Sequence, residues 1–301
     1  MVKKKKGGVF SVDYINSVSG FASMMQKFPL KRILYKTILR GKGLEFDSYR
    51  VFQQDDDASM IDWMASLRSN GLLAKKYIEE RELSIYFIVD ASSNVLFGSG
   101  DKLKAEYNAE IVAALSHLIL ESGDKIGLVM VNDDVTKYIP PKNGKNQFMI
   151  LTSFLSDPSL YKGEFDLKKG VDFVLDIVKD EYSLFIILSD FIAIKKGIQK
   201  SLKFLGSKFE TLALVVRDPI DIELPMYNHQ ISIRDPQTGR QMIVDPKLIA
   251  EKYKLSALKQ KKAVLKVLSQ ANIDACELDI SESFFYPLYS FLRKRSGGDR
   301  I

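Results

Sequence analysis

Ser84-Ile-Tyr-Phe-Ile-Val-Asp90-Ala-Ser92-Ser93-Asn94 is an apolar, mostly β-branched or aromatic run that ends on a carboxylate. Two small oxygen-bearing side chains, Ser92 and Asn94, follow at alternate positions. Such a run reads as a buried parallel strand. What leaves its C-terminal end enters the crevice where open α/β sheets bind ligands. Alternate residues of a tight turn can aim three oxygens at one point, the donor type that Mg²⁺ takes. Asp, Ser and Asn after a strand are equally plain turn and N-cap residues. The turn alone therefore leaves a cation site and simple punctuation both open.

From Leu83 onward strands alternate with helices. Further strands are predicted at Ile126–Val131, Leu184–Leu188, Leu212–Val216 and Ala275–Leu278, with Val135–Ile139 returning antiparallel after the Asn132-Asp133-Asp134 turn. Leu103, Tyr107, Ile111, Leu115 and Leu118 recur at helical spacing, and Gly123-Asp124 stops that helix. Helices also fit Gln147–Leu155, Leu167–Val178, Lys195–Leu205, Pro246–Gln270 and Ser283–Lys294. The alternation predicts an α/β fold, doubly wound around a mainly parallel sheet with right-handed crossovers. The strand beginning at Ser84 then lies beside the one beginning at Leu184. That second strand also ends on an acid, Leu188-Ser189-Asp190, so two aspartates meet at the switch point. Between about Pro219 and Asp245 the alternation pauses for an inserted β-hairpin, its turn at Asp235 to Gly239.

Composition sets the outer limits. The chain has 301 residues, 46% hydrophobic and 27% charged, which suits one large domain with an appendage. No apolar run approaches the length of a membrane span, and the lysines at 3–6 lead into no apolar segment of a signal peptide. A single Cys276 excludes an internal disulfide and fits a reducing compartment. A cytoplasmic location is the expectation. His117 and His229 lie far in sequence from Cys276, which argues against a zinc site. The net charge of +6 is uneven: Lys3 to Lys6, Lys27, Lys31, Arg32, Lys36, Arg40 and Lys42 crowd the first 42 residues. Basic clusters can bind nucleic acid or an anionic surface. Without interleaved aromatic platforms, a solvated tail and a wet helix face account for them better, and no nucleic-acid partner is expected.

Residues 1–20, charged and then Gly- and Ser-rich, read as a disordered basic tail. Residues 21–40 suggest one or two short helices around Pro29, and Asp62 to Arg68 suggests another. Residues 21–82 form an irregular N-terminal extension packed on a core domain of 83–294, with 295–301 as a tail.

Gly43-Leu-Glu-Phe46, Arg50, Gln54 through Asp57, Ile61-Asp62-Trp63 and Arg68 together resemble the N-terminal signature of DUF58 proteins. Glu79 through Glu82, Phe97-Gly98, Gly123 through Gly127, Leu188 through Phe191, Arg217-Asp218-Pro219, Leu224-Pro225 and Asp235 through Gly239 follow in that family's order. The resemblance runs from about residue 35 to 294. It implies a von Willebrand factor A-like (vWA-like) fold in which Asp90, Ser92, Asn94 and Asp190 stand where the metal-ion-dependent adhesion site lies. It also implies a partner, a MoxR-type AAA+ ATPase or its client, and no established catalytic activity.

This chain departs from the family pattern. Asn94 replaces the last Ser of the turn. Gly163-Glu164-Phe165-Asp166-Leu167 puts Phe165 where the family's threonine ligand falls. A ring cannot coordinate Mg²⁺, so the site is degenerate and Mg²⁺ binding weak or lost. Arg50, Asp56, Asp62, Trp63 and Arg68 are expected either to bind a partner or to form a polar network that fixes the extension to the body, with Trp63 buried there.

The reading is of a non-enzymatic adaptor with a degenerate adhesion site. A Mg²⁺-dependent phosphohydrolase using Asp90 as nucleophile is the alternative. Ser92 stands where such enzymes place a second acid, which counts against it. Binding of nucleic acid or an anionic surface through the basic N-terminus is the third reading.

Overall fold

A computed structural model describes residues 10–25, 48–53, 58, 61–69, 71–76, 82–180, 182–192, 197–234 and 241–296. In chain order the elements are α1 (Tyr14–Met25), β1 (Ser48–Val51), α2 (Trp63–Ser69), β2 (Leu73–Lys76), β3 (Ser84–Asp90), α3 (Lys104–Glu121), β4 (Lys125–Val131), β5 (Val135–Lys142), α4 (Lys145–Leu155), α5 (Leu167–Ile177), β6 (Ser183–Ser189), α6 (Ile198–Lys208), β7 (Glu210–Arg217), β8 (Ile231–Arg234), β9 (Gln241–Val244), α7 (Pro246–Gln270), β10 (Asp274–Asp279) and α8 (Phe285–Ser296).

The main sheet has six strands in the order β10-β7-β6-β3-β4-β5. All neighbours are parallel except β4 and β5. This is the doubly wound vWA-like architecture. The first core strand, β3, lies between β4 and β6, so the chain winds one way to β5 and the other way to β10. Every side chain of β3 and of β6 is buried, as apolar runs covered on both faces must be.

Alternation along the strands divides the core in two. Ile85, Phe87 and Val89 face one layer with residues of α1, α3, α4 and α8; Tyr86 and Ile88 face the other with residues of α5, α6 and α7. The hairpin insert is present as antiparallel β8 and β9, Ile231 opposite Val244 and Ile233 opposite Met242. Its turn at Asp235 to Gly239 lies outside the described residues, as do residues 1–9, the basic stretch Lys27 to Arg40, and 297–301.

Three expectations need correction. First, residues 10–20 are not a loose tail. α1 packs on α3, with Ser17, Phe21 and Met25 at four-residue spacing turned inward. Gly20 lets it come close to α8 as well: a Cβ there would lie 2.4 Å from the Phe285 ring. Ser11 N–H also donates to Glu106 Oε1 at 2.7 Å. Second, the extension is less irregular than expected, because β1 and β2 pair antiparallel and α2 packs on β2. Third, Trp63 is 63% exposed, and Met64 and Leu67 beside it are exposed too. Trp63 opens α2 on its outer side, so it does not pin the extension to the body.

Candidate functional site

β3 delivers Asp90 to the centre of the sheet's C-terminal edge, where it is only 1% exposed. Oδ1 accepts the Ser92 N–H at 2.9 Å, and Oδ2 accepts the Ser189 hydroxyl at 2.8 Å. The turn is clamped from both sides. Ala91 N–H donates to Val131 O at 2.8 Å. Lys162 N–H donates to Ala91 O at 2.9 Å, and Ser93 N–H donates to Gly163 O at 3.0 Å. Gly163 is required here: its φ is +70°, and a Cβ would lie 1.9 Å from Asp133 Oδ2.

Burial, and after it the charge of Asp190, lift the Asp90 carboxyl to about 7; hydrogen bonds from Ser92 and Ser189 pull the other way. The Ser92 side chain is fully buried; its hydroxyl lies near enough to Asp90 to help hold that carboxyl down, but makes no well-formed hydrogen bond among the described residues.

β6 delivers Asp190 beside it. The following Phe191 has φ +51°, a strained value for this side chain. The turn is held by Phe191 N–H on Ser189 Oγ at 3.0 Å and by Gln260 Nε2–H on Phe191 O at 2.8 Å. Asp190 Oδ1 accepts the Ile192 N–H at 2.9 Å, and Oδ2 accepts the Lys104 ammonium at 2.7 Å. The same ammonium donates to Asp221 Oδ2 at 3.0 Å.

Lys104 is 3% exposed and opens α3. Burial works against its charge, but Asp190 and Asp221 outweigh that and raise its pKa above the ordinary lysine value. Asp221 is itself shifted up by burial, with Lys104 opposing. Around this centre Arg217 Nε–H donates to Asp190 O at 3.2 Å, and Asp218 accepts the Ser99 hydroxyl at 2.6 Å. The loops leaving β3, β6 and β7 and the first turn of α3 are thus joined by one buried polar network.

Of the four expected metal-site residues, Asp90, Ser92 and Asp190 come together. Asn94 lies half-buried on the short 3₁₀ turn Ser93–Leu96, and its amide makes no hydrogen bond among the described residues. Phe165 is 4% exposed and packs in the core layer of α5 to α7, so the 161–165 loop reaches the turn but offers it no side-chain oxygen at that position. Asp166 instead caps α5 through the Lys169 N–H. Among the described residues no three acidic, His or Cys side chains form a group able to hold a metal ion. With Asp190 held by an ammonium and Phe165 apolar, the donor set suits a hard divalent cation badly.

Lys104, Ser189, Asp218 and Asp221 were not singled out as site residues from the sequence. Nothing in the sequence marked Lys104, because the burial of the first half of α3, where a positive charge opposes the helix dipole, is visible only in the structure.

The second expected group lies on β1, α2 and the segment between them. Asp62 caps α2, accepting Met64 N–H at 3.1 Å and Ala65 N–H at 3.0 Å, and takes the Tyr49 hydroxyl at 2.9 Å. Arg50 is half-buried on β1, Arg68 is exposed in the last turn of α2, and Asp56 lies outside the described residues.

The family model described as "Protein of unknown function DUF58" matches residues 48–263. An uncharacterized protein of Mycobacterium tuberculosis, Rv1480, is 26% identical over 215 residues, covering 70% of this chain and 67% of its own. Two solved structures are similar. An aerotolerance-related membrane protein of Bacteroides fragilis has TM-score 0.47 and 16% identity, covering 70% of this chain and 99% of its own. The SpRpn10 VWA domain has TM-score 0.42 and 10% identity, covering 69% of this chain and 94% of its own. The cytoplasmic location expected from the sequence is withdrawn, because the Bacteroides fragilis neighbour is named a membrane protein. Among the described residues no helix is long and apolar enough to cross a membrane, and that alone places the chain in no compartment.

Proposed function

The chain belongs to the DUF58 family, and from that membership we propose that it is a non-enzymatic protein-interaction module whose contact face is the C-terminal edge of its main sheet. One observation carries the reading. Ile192, two residues past Asp190, and Met226 and Tyr227, on the long loop that leaves the C-terminal end of β7, are exposed. Methionine and aromatic side chains beside a fixed polar centre are the composition of protein contact surfaces. Asp90 itself is poorly placed for nucleophilic catalysis. It is buried, both of its oxygens are engaged, and Ser92 stands where a second acid would be needed.

The partner follows from the family resemblance: a MoxR-type AAA+ ATPase or a client it acts on, with this chain as adaptor. The hairpin β8–β9 extends the contact face. Co-purification from the native cell tests the reading. The wild-type chain is expected to retain the ATPase or its client, and Asn94→Trp or Met226→Asp to lose it while melting as wild type does. Retention by both variants, with loss on charge reversal of Lys27 to Arg40, would move the contact to the basic N-terminal stretch and defeat this reading.

A further inference from the structure

We infer that Lys104 is the resident cation of the switch-point crevice: its ammonium takes the carboxylate that a divalent ion would share, and so keeps the site closed to metal. The inference goes beyond the interaction reading and stands whether or not the crevice binds a protein.

Four observations carry it. The ammonium lies 2.7 Å from Asp190 and 3.0 Å from Asp221, carboxylates delivered by two different strand ends. All three side chains are buried or nearly so, and such an arrangement persists only when the charges answer one another. Lys104 is the first residue of α3, where the helix dipole repels a cation, so the two carboxylates are what hold it there. On the far side of the turn the position expected to supply an oxygen is Phe165, turned into the core. The side chain at that position is apolar, and a tethered positive charge stands in the same crevice. Both features act against a doubly charged ion, and Ser92 is left with a buried hydroxyl that makes no well-formed hydrogen bond among the described residues. Asp190 is the group the two arrangements compete for, because its charge acts on both Asp90 and Lys104.

The inference also says what removing the lysine would do. Without the ammonium, Asp190 and Asp221 remain as two buried carboxylates within reach of one cation. Hard divalent ions bind such oxygen sets. The experiment is calorimetric titration of the full chain with Mg²⁺ and with Mn²⁺, and thermal melting in each ion and in chelator. Wild type is expected to show no saturable binding and the same melting temperature in all conditions. Lys104→Ser is expected to melt lower in chelator and to regain stability as Mn²⁺ is added, an ion dependence wild type lacks. Should Lys104→Ser fail to fold, the triple variant Lys104→Met, Asp190→Asn, Asp221→Asn supplies the second arm. With the charges removed together, it is expected to fold and to melt above Lys104→Met alone. Saturable Mg²⁺ binding by wild type that Asp90→Asn abolishes would overturn the inference. So would a Lys104→Ser protein that folds and is indifferent to every divalent ion.

Discussion

Two turns in this molecule carry nearly the same spelling. Asp90-Ala-Ser92-Ser93-Asn94 follows β3, and Asp279-Ile280-Ser281-Glu282-Ser283 follows β10. The second is the closer match to the D-x-S-x-S pattern of metal-adhesion turns, yet it is the first that sits in the crevice. In both, the aspartate accepts the backbone N–H two residues on, at 2.9 Å from Ser92 and 2.8 Å from Ser281. There the likeness ends. β3 has a strand on each side, so its end meets Ser189 and Asp190 from β6 and Val131 from β4. β10 is an edge of the sheet, and Asp279 is exposed; its carboxylate accepts the Ser281 N–H and, at 2.6 Å, the Ser281 hydroxyl. A site is made by the strands that flank a turn more than by the letters within it.

That contrast can be tested, and the ion pairs should give the largest difference. Lys104→Met leaves Asp190 and Asp221 buried without their cation and should cost about 3–5 kcal/mol. Lys261, which pairs with the half-exposed Glu277 on β10, should cost under about 1 kcal/mol when changed to Met. Denaturant titration of the two variants measures both, and equal losses would erase the distinction between centre and edge.

The next difference is in pH. The Asp90 carboxyl titrates higher in the native state than in the unfolded chain, where it is near 3.8. Below that value both states hold the proton. As pH rises toward 7 the unfolded chain releases it while the native state keeps it, so Asp90 lowers stability across this window by at most about 1.4 kcal/mol per pH unit. Asp90→Asn should flatten that part of the stability profile. A profile that Asp90→Asn does not alter would mean that the buried carboxylate is ionised at little expense.

The smallest effects belong to the serines. Ser281→Ala removes a hydroxyl that bonds Asp279 and should cost about 0.5–1 kcal/mol. Ser92→Ala removes a buried hydroxyl with no well-formed hydrogen bond among the described residues and should fall within about 0.5 kcal/mol of wild type or stabilise it. A clear loss for Ser92→Ala would show that its hydroxyl holds something, a water or an ion, and would reopen the cation question.

The inner strands β3, β4, β6 and β7 could be read from the sequence because each is a nearly continuous apolar run, whereas the edge strands β5 and β10 carry polar residues and were placed by their turns and by the β/α alternation. Asp90 and Asp190 could be placed together because strand order follows from the β/α alternation. Lys104 could not be placed. Its partners lie 86 and 117 residues away, and nothing in a lone lysine says which way it faces. α1 was hidden by its Gly and Ser content: its fully buried residues are Ser17, Phe21 and Met25. Trp63 misled for the opposite reason. The signature around it marks kinship, and kinship gives no measure of burial; what Asp62 beside it does is cap α2.

The cover that α1 gives α3 has a practical consequence. The first half of α3 is buried on every side because α1 lies across the face turned away from the sheet. A fragment begun at Leu83, where the strand alternation starts, would bare that face and vacate the places of Phe21 and Met25. It would keep all six strands of the main sheet and yet carry a sticky apolar flank, so clumping in solution, more than loss of the sheet, is the fate to expect of such a trimmed chain.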